Sequence, residues 1–306
     1  MTADQWIALF AAIVGGALRV GAPFLFVSLG ECLTEKSGRI NLGLEGVLVL
    51  SAMASFGGAY LTDSVWAGVA IGAAAGGLLA LLHGVLCSLR GVNDVATGIA
   101  LMLLGTGLAF YLGKPLIQPQ APQLPALPLG DWSDNAVVRS ALQVNVLVPI
   151  GMALAVLMHW AFAATRAGLL VRLAGDSANA TRALGYSVPG IRIAATALGG
   201  CIAGLGGAGL TLFYPGSWNE GISSGQGLIA VALVIFARWS PLRCVGAALL
   251  FGGAGAIGPA LQSIGVGWGY HLFGTVPYVL TLVILVITCR PGSVTPGTPG
   301  ELSSTR

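Results

Sequence analysis

Gly30-Glu-Cys-Leu-Thr-Glu-Lys-Ser-Gly-Arg-Ile-Asn-Leu-Gly-Leu-Glu-Gly46 is the stretch on which the reading of this sequence turns. Charged residues make up only 8% of the chain, yet Glu31, Glu35, Lys36, Arg39 and Glu45 all fall here. Gly30, Gly38, Gly43 and Gly46 leave the backbone free to turn sharply or to approach a neighbour closely. Long apolar runs flank the stretch on both sides. Charge and glycine between two such runs read either as a surface loop or as a broken helix lining a polar path. Composition alone favours the loop, so the case for a path has to come from the rest of the chain.

Working outward, the 306 residues are 56% hydrophobic, and the mean hydropathy is +0.87. Ordinary soluble domains do not reach such values. A bilayer-spanning helix needs about 20 apolar residues. Runs of roughly that length occupy 6–33, 40–61, 65–89, 95–113, 144–164, 191–213, 242–264 and 273–289, with a shorter one over 225–237. An all-α, polytopic membrane protein of about nine spans (eight to ten) is expected. The 225–237 run is too short to cross unaided and reads as a re-entrant half-helix, which is why the count is left at eight to ten. A formal charge of +3 gives no reason to expect a nucleic-acid partner. The cysteines (Cys32, Cys87, Cys201, Cys244 and Cys289) form no CxxC pair, which points away from a disulfide framework or a zinc site. Residues 1–5 carry no basic n-region, so no cleavable signal peptide is expected.

Basic residues set the orientation. Nine crossings collect Lys36, Arg39, Arg90, Arg166, Arg172, Arg182, Arg192, Arg238, Arg243, Arg290 and Arg306 on one side. Lys114 and Arg139 fall on the other, and Arg19 lies within the first run. The positive-inside rule then places the C-terminus in the cytoplasm and the N-terminus outside. On this reading the transmembrane domain covers 1–290. The loop over 114–143, with Pro115, Pro119, Pro122, Pro125 and Pro128, is external and stiffened by proline. The loop over 165–190 is cytoplasmic. There Asp176 or Ser177 can cap a short helix that Gly185 stops, as in a docking element. The 291–306 tail has no apolar stripe and is expected to be disordered.

Several familiar patterns fail on context. Gly204-Leu-Gly-Gly-Ala-Gly209 spells GxGxxG inside an apolar run with no strand before it, so it does not read as a dinucleotide site. Small residues four apart there, and at Gly252-Gly-Ala-Gly255, are first a signal for close helix packing. No Walker A motif is present, and the Gly113-Lys114 pair runs into Pro115. His83, His159 and His271 lack metal spacing, and no catalytic constellation can be assembled. Neither cofactor nor metal is expected, and the chain does not read as an enzyme.

With these residues in view, the run Glu35-Lys-Ser-Gly-Arg-Ile-Asn41-Leu-Gly43-Leu-Glu45-Gly46 resembles the hallmark of ABC importer permeases of the ribose/nucleoside (branched-chain-type) group. It looks closest to the second permease of purine-nucleoside importers. Arg19-Val-Gly-Ala-Pro23 resembles the first helix of that family. Thr165-Arg-Ala-Gly168 and Arg172-Leu-Ala-Gly175 through Ala183-Leu-Gly185 resemble its coupling loop. Glu220 through Gly225-Gln226-Gly227 to Trp239-Ser-Pro241 resembles its last conspicuous motif. Lys36, Arg39 and Gln226 depart from the usual residues, which leaves room for a less typical substrate.

The resemblance implies a permease subunit in the bacterial cytoplasmic membrane, moving a nucleoside or, next, a simple sugar. It implies a separate ATP-binding subunit, a second permease subunit in a heterodimer, and an extracytoplasmic substrate-binding protein, all around a lipid-embedded core. Substrate-path candidates are Glu31, Asn41, Glu45, Glu220 and Gln226. If Glu45 is buried, Arg39 or Arg19 is its expected partner. Candidates for contact with the ATPase are Arg172, Gly175, Asp176, Ser177, Ala180, Leu184 and Gly185. The rival reading is an ion-coupled secondary transporter with Glu31, Arg39 and Glu45 as an intramembrane charge network.

Overall fold

A computed structural model describes residues 3–135, 138–139, 142–213, 215–263, 273–288 and 297–304. The regular structure of the described residues is helical apart from one two-stranded sheet. Among the described residues, seven helices are long and apolar enough to cross a membrane. They are α1 (Ala3–Lys36), α2 (Leu44–Thr62), α3 (Val65–Leu86), α4 (Asp94–Gly113), α5 (Leu147–Ala164), α8 (Val188–Thr211) and α10 (Pro241–Ser263). Between α5 and α8 lie the short α6 (Arg166–Asp176) and α7 (Ala178–Ala183). Two shorter apolar helices, α9 (Gln226–Phe236) and α11 (Val276–Thr288), fall in the remaining expected runs, and α12 (Gly300–Ser304) closes the described chain.

Glycine, not bulk, brings these helices together. A methyl group on Gly199 would lie 2.5 Å from the Gly30 carbonyl oxygen, so α1 and α8 meet backbone to backbone. Gly76 meets Gly200, and Gly72 meets Gly204, which joins α3 to α8 in the same way. On α10, Gly252 meets Ala17 and Gly21 of α1. The GxGxxG pattern thus lies inside α8, on a helix-packing face. Larger side chains fill what is left. One apolar cluster, with Leu48, Phe56, Leu79 and Leu101, lies among α2, α3, α4 and α8. A second, with Phe24, Leu29, Phe162, Leu233 and Phe251, lies among α1, α5, α9 and α10.

The loop over 114–143 contains a strand, β1 (Ala126–Pro128), that pairs antiparallel with β2 (Gln143–Asn145), with Leu127 opposite Val144. Leu124 N–H also donates to the Leu212 carbonyl at 2.6 Å, tying the loop to the end of α8.

The ends of the helices locate the 30–46 stretch. Arg39 bonds Asp94 at the start of α4, Arg192 of α8 donates to the Ser37 carbonyl, and Trp239 Nε1 donates to Glu35. These contacts gather the end of α1 with the starts of α4, α8 and α10 at one end of the bundle, rich in arginine and lysine. From there the chain turns back inward. Gly43 packs on Gly98 and Gly46 on Met102, so α2 begins about 6–12 Å inside the bundle, at ~1.5 Å per residue along α4.

The short 225–237 run makes an interrupted crossing. Trp218 packs against Gly113 at the far end of α4. Gly227 touches Glu45, close to Met102 and about 16 Å lower on the same helix. The chain therefore descends half the bundle in non-helical conformation. The 11 residues of α9 then carry it to Trp239 at the basic end, about another 16 Å. Together these match a hydrocarbon core of about 30 Å. The half-helix is present, but it does not re-enter: the segment containing it runs from one end of the bundle to the other.

Candidate coupling and transport site

The non-helical descent is possible because its backbone groups find partners within the protein. Ser224 (φ 47°) and Gly225 (φ 79°) both adopt the left-handed conformation, which swings the chain into α9. Only glycine takes up this region without strain. Tyr278 Oη of α11 donates to the Ser224 carbonyl at 2.6 Å. Below it the first turn of α9 has amide groups with no intrahelical acceptor. Glu45, in the first turn of α2, supplies the acceptor. Its carboxylate accepts from Gly225 N–H at 3.2 Å, from Gly227 N–H at 2.7 Å and from the Ser223 hydroxyl. A carboxylate at a helix N-terminus also opposes the positive end of the helix dipole.

The partner of Glu45 is therefore the N-terminus of α9. Arg39, the expected counter-ion, is taken by Asp94 at 2.6 Å, and Arg19 Nε donates to the Gly15 carbonyl. Nor do Glu31, Arg39 and Glu45 form one charge network. Glu31 is fully buried and accepts from Asn41 N–H at 2.8 Å, and Asn41 Oδ1 in turn accepts from Gly43 N–H at 2.9 Å. These two bonds shape the turn between α1 and α2. His83 of α3 adds a bond between its Nε2 and the Ile40 carbonyl at 3.2 Å. Gln226 opens α9 beside the Glu45 contacts, with its side-chain oxygen buried. Glu220 lies apart, exposed on the descending segment.

The α6–α7 loop rests directly on this turn. Thr165 caps α6 by accepting from Gly168 N–H at 3.0 Å. Ser177 caps α7 by accepting from Ala180 N–H at 3.2 Å. Of the two expected caps, then, Ser177 serves, and Asp176 is exposed. Gly185 (φ 83°) ends α7, with Gly185 N–H donating to Arg182 and Tyr186 N–H to Thr181. That pair of bonds is the Schellman closure. Ala180, Leu184 (61% exposed) and Tyr186 (48%) face outward.

On the inner side of the loop, Gly175 lies against Lys36 and Gly38 so closely that a side chain at 175 would strike the chain there. Gly38 itself has φ 88°. Arg172 lies on α6, half-buried. Arg192, at the start of α8, completes the joint: its Nε donates to the Ser37 carbonyl at 3.0 Å and an NH2 to the Ala174 carbonyl at 2.8 Å.

One chain of contacts thus runs from the exposed α7, through Gly175 and Arg192, into the 37–43 turn and on through Glu45 to α9. Sequence reasoning picked out Glu31, Asn41, Glu45, Gly175, Ser177 and Gly185 but missed Arg192, Asp94 and Ser223. Arg192 carried one signal: a cation just inside the start of an apolar run, which needs a polar partner.

Comparison with known proteins agrees with this architecture. Residues 8–288 match the family model described as the branched-chain amino acid transport system / permease component. A putative glucose ABC transporter permease of Haloferax volcanii is 30% identical over 298 residues, covering 90% of this chain and 91% of that protein. A guanosine ABC transporter permease of Bacillus subtilis is 27% identical, covering 91% and 92%. A nucleoside ABC transporter permease of Lactococcus lactis is 26% identical, covering 90% and 91%. A family match over nearly the whole chain, on a bundle with an interrupted crossing and a capped loop seated on its polar turn, leaves one assignment: this protein belongs to the branched-chain-type permease family and is the membrane-spanning permease component of an ABC transporter, not an enzyme.

Proposed function

We propose that this subunit imports a nucleoside across the bacterial cytoplasmic membrane, with its basic end in the cytoplasm and its 114–143 loop outside. The relatives named for nucleosides and guanosine support that substrate class, and the one named for glucose makes a simple sugar the second candidate. A separate ATP-binding subunit docks on the outer face of α6–α7. A second permease subunit completes the membrane core, and a substrate-binding protein delivers solute from outside. The observation that carries the coupling is the seating of α6–α7 on the 37–43 turn through Gly175 and Arg192. A displacement of α7 reaches the start of α2, and through Glu45 the start of the α9 half-helix, without crossing a flexible linker. The solute passes beside the non-helical descent, where Gln226 and the residues above it offer polar groups at half depth.

Two measurements test this. Leu184→Asp places a charge on the exposed docking face, so the variant is expected to reach the membrane yet lose co-purification with the ATP-binding subunit and all uptake. Normal co-purification and uptake would overturn the docking role. In cells carrying the whole transporter, labelled guanosine uptake is expected to be competed by other purine nucleosides and not by glucose. Competition by glucose alone would replace the nucleoside with a sugar.

A further inference from the structure

Within the 291–306 tail, the described residues 297–304 lie against four separate segments of the basic end. Lys36 Nζ, at the end of α1, donates to the Gly297 carbonyl at 3.2 Å. Gly297 has φ 94° and lies against the Arg238 carbonyl, just after α9. Gly300 packs on the backbone of Asp176, where α6 gives way to α7. Glu301 makes the most telling contacts. Its Oε1 accepts from Ala178 N–H, in the first turn of α7, at 2.9 Å. Its Oε2 pairs with an NH2 of Arg192 at 3.3 Å. That guanidinium is the one already bonded to Ser37 and Ala174. One carboxylate therefore joins the docking helix to the arginine that seats the loop on the 37–43 turn.

We propose that residues 297–304 are a brace that holds the α6–α7 loop in register with the membrane core, with Glu301 as its positioning residue. The proposal rests on the reading that α6–α7 receives the ATP-binding subunit. The tail lies on the inner side of α7 and leaves Leu184 and Tyr186 exposed, so brace and ATPase can be bound together. It is not a plug. Glu301 is partly solvated, at 32% side-chain exposure, and such an ion pair is too weak to decide whether the chain folds. Its effect falls on how much of a movement at α7 reaches Ser37, rather than being absorbed as slack between Asp176 and Ala178.

The test uses the complete transporter, with its ATP-binding subunits and binding protein, in proteoliposomes. Solute moved per ATP hydrolysed is measured for the full chain, a chain ending at residue 296, Glu301→Gln and Glu301→Asp. Assembly and ATP hydrolysis are expected to persist in all four. The transport-to-ATP ratio is expected to fall about threefold in the shortened chain and less in Glu301→Gln, the scale of one exposed ion pair. Glu301→Asp should return it towards the full-chain value. An unchanged ratio in the shortened chain and in Glu301→Gln overturns the brace, and a raised ratio shows that the tail inhibits instead.

Hydrogen exchange at the Ala178 amide in the assembled transporter checks the contact independently of transport: it should be faster in the chain ending at residue 296 than in the full chain, and equal rates also overturn the proposal. If Leu184→Asp abolishes ATPase docking while the Glu301 variants keep the full ratio, the brace alone falls. If Leu184→Asp docks normally, the coupling reading beneath it falls as well.

Discussion

Glu45 shows how one side chain can serve two helices. It stands in the first turn of α2, yet its carboxylate satisfies the amide groups of Gly225 and Gly227 at the start of α9. Hydrogen bonds to a charged acceptor contribute about 1.5–3 kcal/mol each, and a buried amide left unpaired costs about 1–3 kcal/mol. Glu45→Gln keeps a carbonyl acceptor but loses the second oxygen and the charge. It is expected to assemble at reduced thermal stability and to transport slowly, and Glu45→Ala is expected to fail to assemble. Full stability and full uptake in Glu45→Ala would remove the tie from the account. Gly227 imposes the same contact sterically, because a methyl group there would lie 2.6 Å from Glu45 Cα and N. Gly227→Ala should therefore separate the two helix starts and lower the melting temperature in detergent, and an unchanged melting temperature would mean that they are not held together.

At the scale of elements, the interrupted crossing and the α6–α7 loop carry the functional argument. Non-helical backbone at membrane depth persists only where protein or water supplies its partners. Ser224 is exposed while Leu233, farther along α9, is fully buried. Ser224→Cys in a background without other cysteines should react with a water-soluble thiol reagent and be protected by substrate, whereas Leu233→Cys should stay unreactive. Equal reactivity at both would place the descending segment away from a solute path.

The tail contact adds a dependence on pH. Partial burial acts to raise the Glu301 carboxyl, but the Ala178 N–H and the Arg192 guanidinium, with Arg182 nearby, outweigh it and hold the group below the ordinary carboxylate range. A depressed value means that the contact contributes fully at neutral pH and is lost as the pH falls through that depressed value. Hydrogen exchange of 297–304 should thus be constant across the neutral range and should rise, relative to its intrinsic rate, only once the pH falls below the ordinary carboxylate range. A change across the neutral range would point to a different group.

At the scale of the whole molecule, the helix ends sort by charge. Arg39, Arg172, Arg192, Arg238 and Lys36 share one end with the α6–α7 loop and the tail, while Lys114 and the β1–β2 loop occupy the other. On the proposed orientation, with the basic end in the cytoplasm, a cysteine at Ser133 should react with an impermeant thiol reagent in intact cells, and one at Ser187 should react only after the cells are opened. Labelling at Ser187 in intact cells would invert the orientation. This separation comes from the single pass of α5 between the two loops.

Much of this was legible in the sequence because the bilayer imposes local rules. Twenty apolar residues must close their own backbone hydrogen bonds, so runs such as 65–89 and 242–264 could only be helices. Ser177 and Gly185 marked the ends of α7 because caps and left-handed turns are decided within a few residues. The small-residue faces of α8 and α10 were equally plain, although not which glycine meets which. What only the tertiary structure decided are the contacts between segments far apart in the chain. Glu45 reaches Gly227, Arg192 reaches Ser37, and Glu301 reaches Ala178. In a low-dielectric interior any carboxylate must find a donor, and local sequence says that one is needed without saying which. Arginine was the natural guess for Glu45. The bundle instead presented the unsatisfied amides of a broken helix, because the geometry that interrupts α9 also creates the donors that bind the carboxylate.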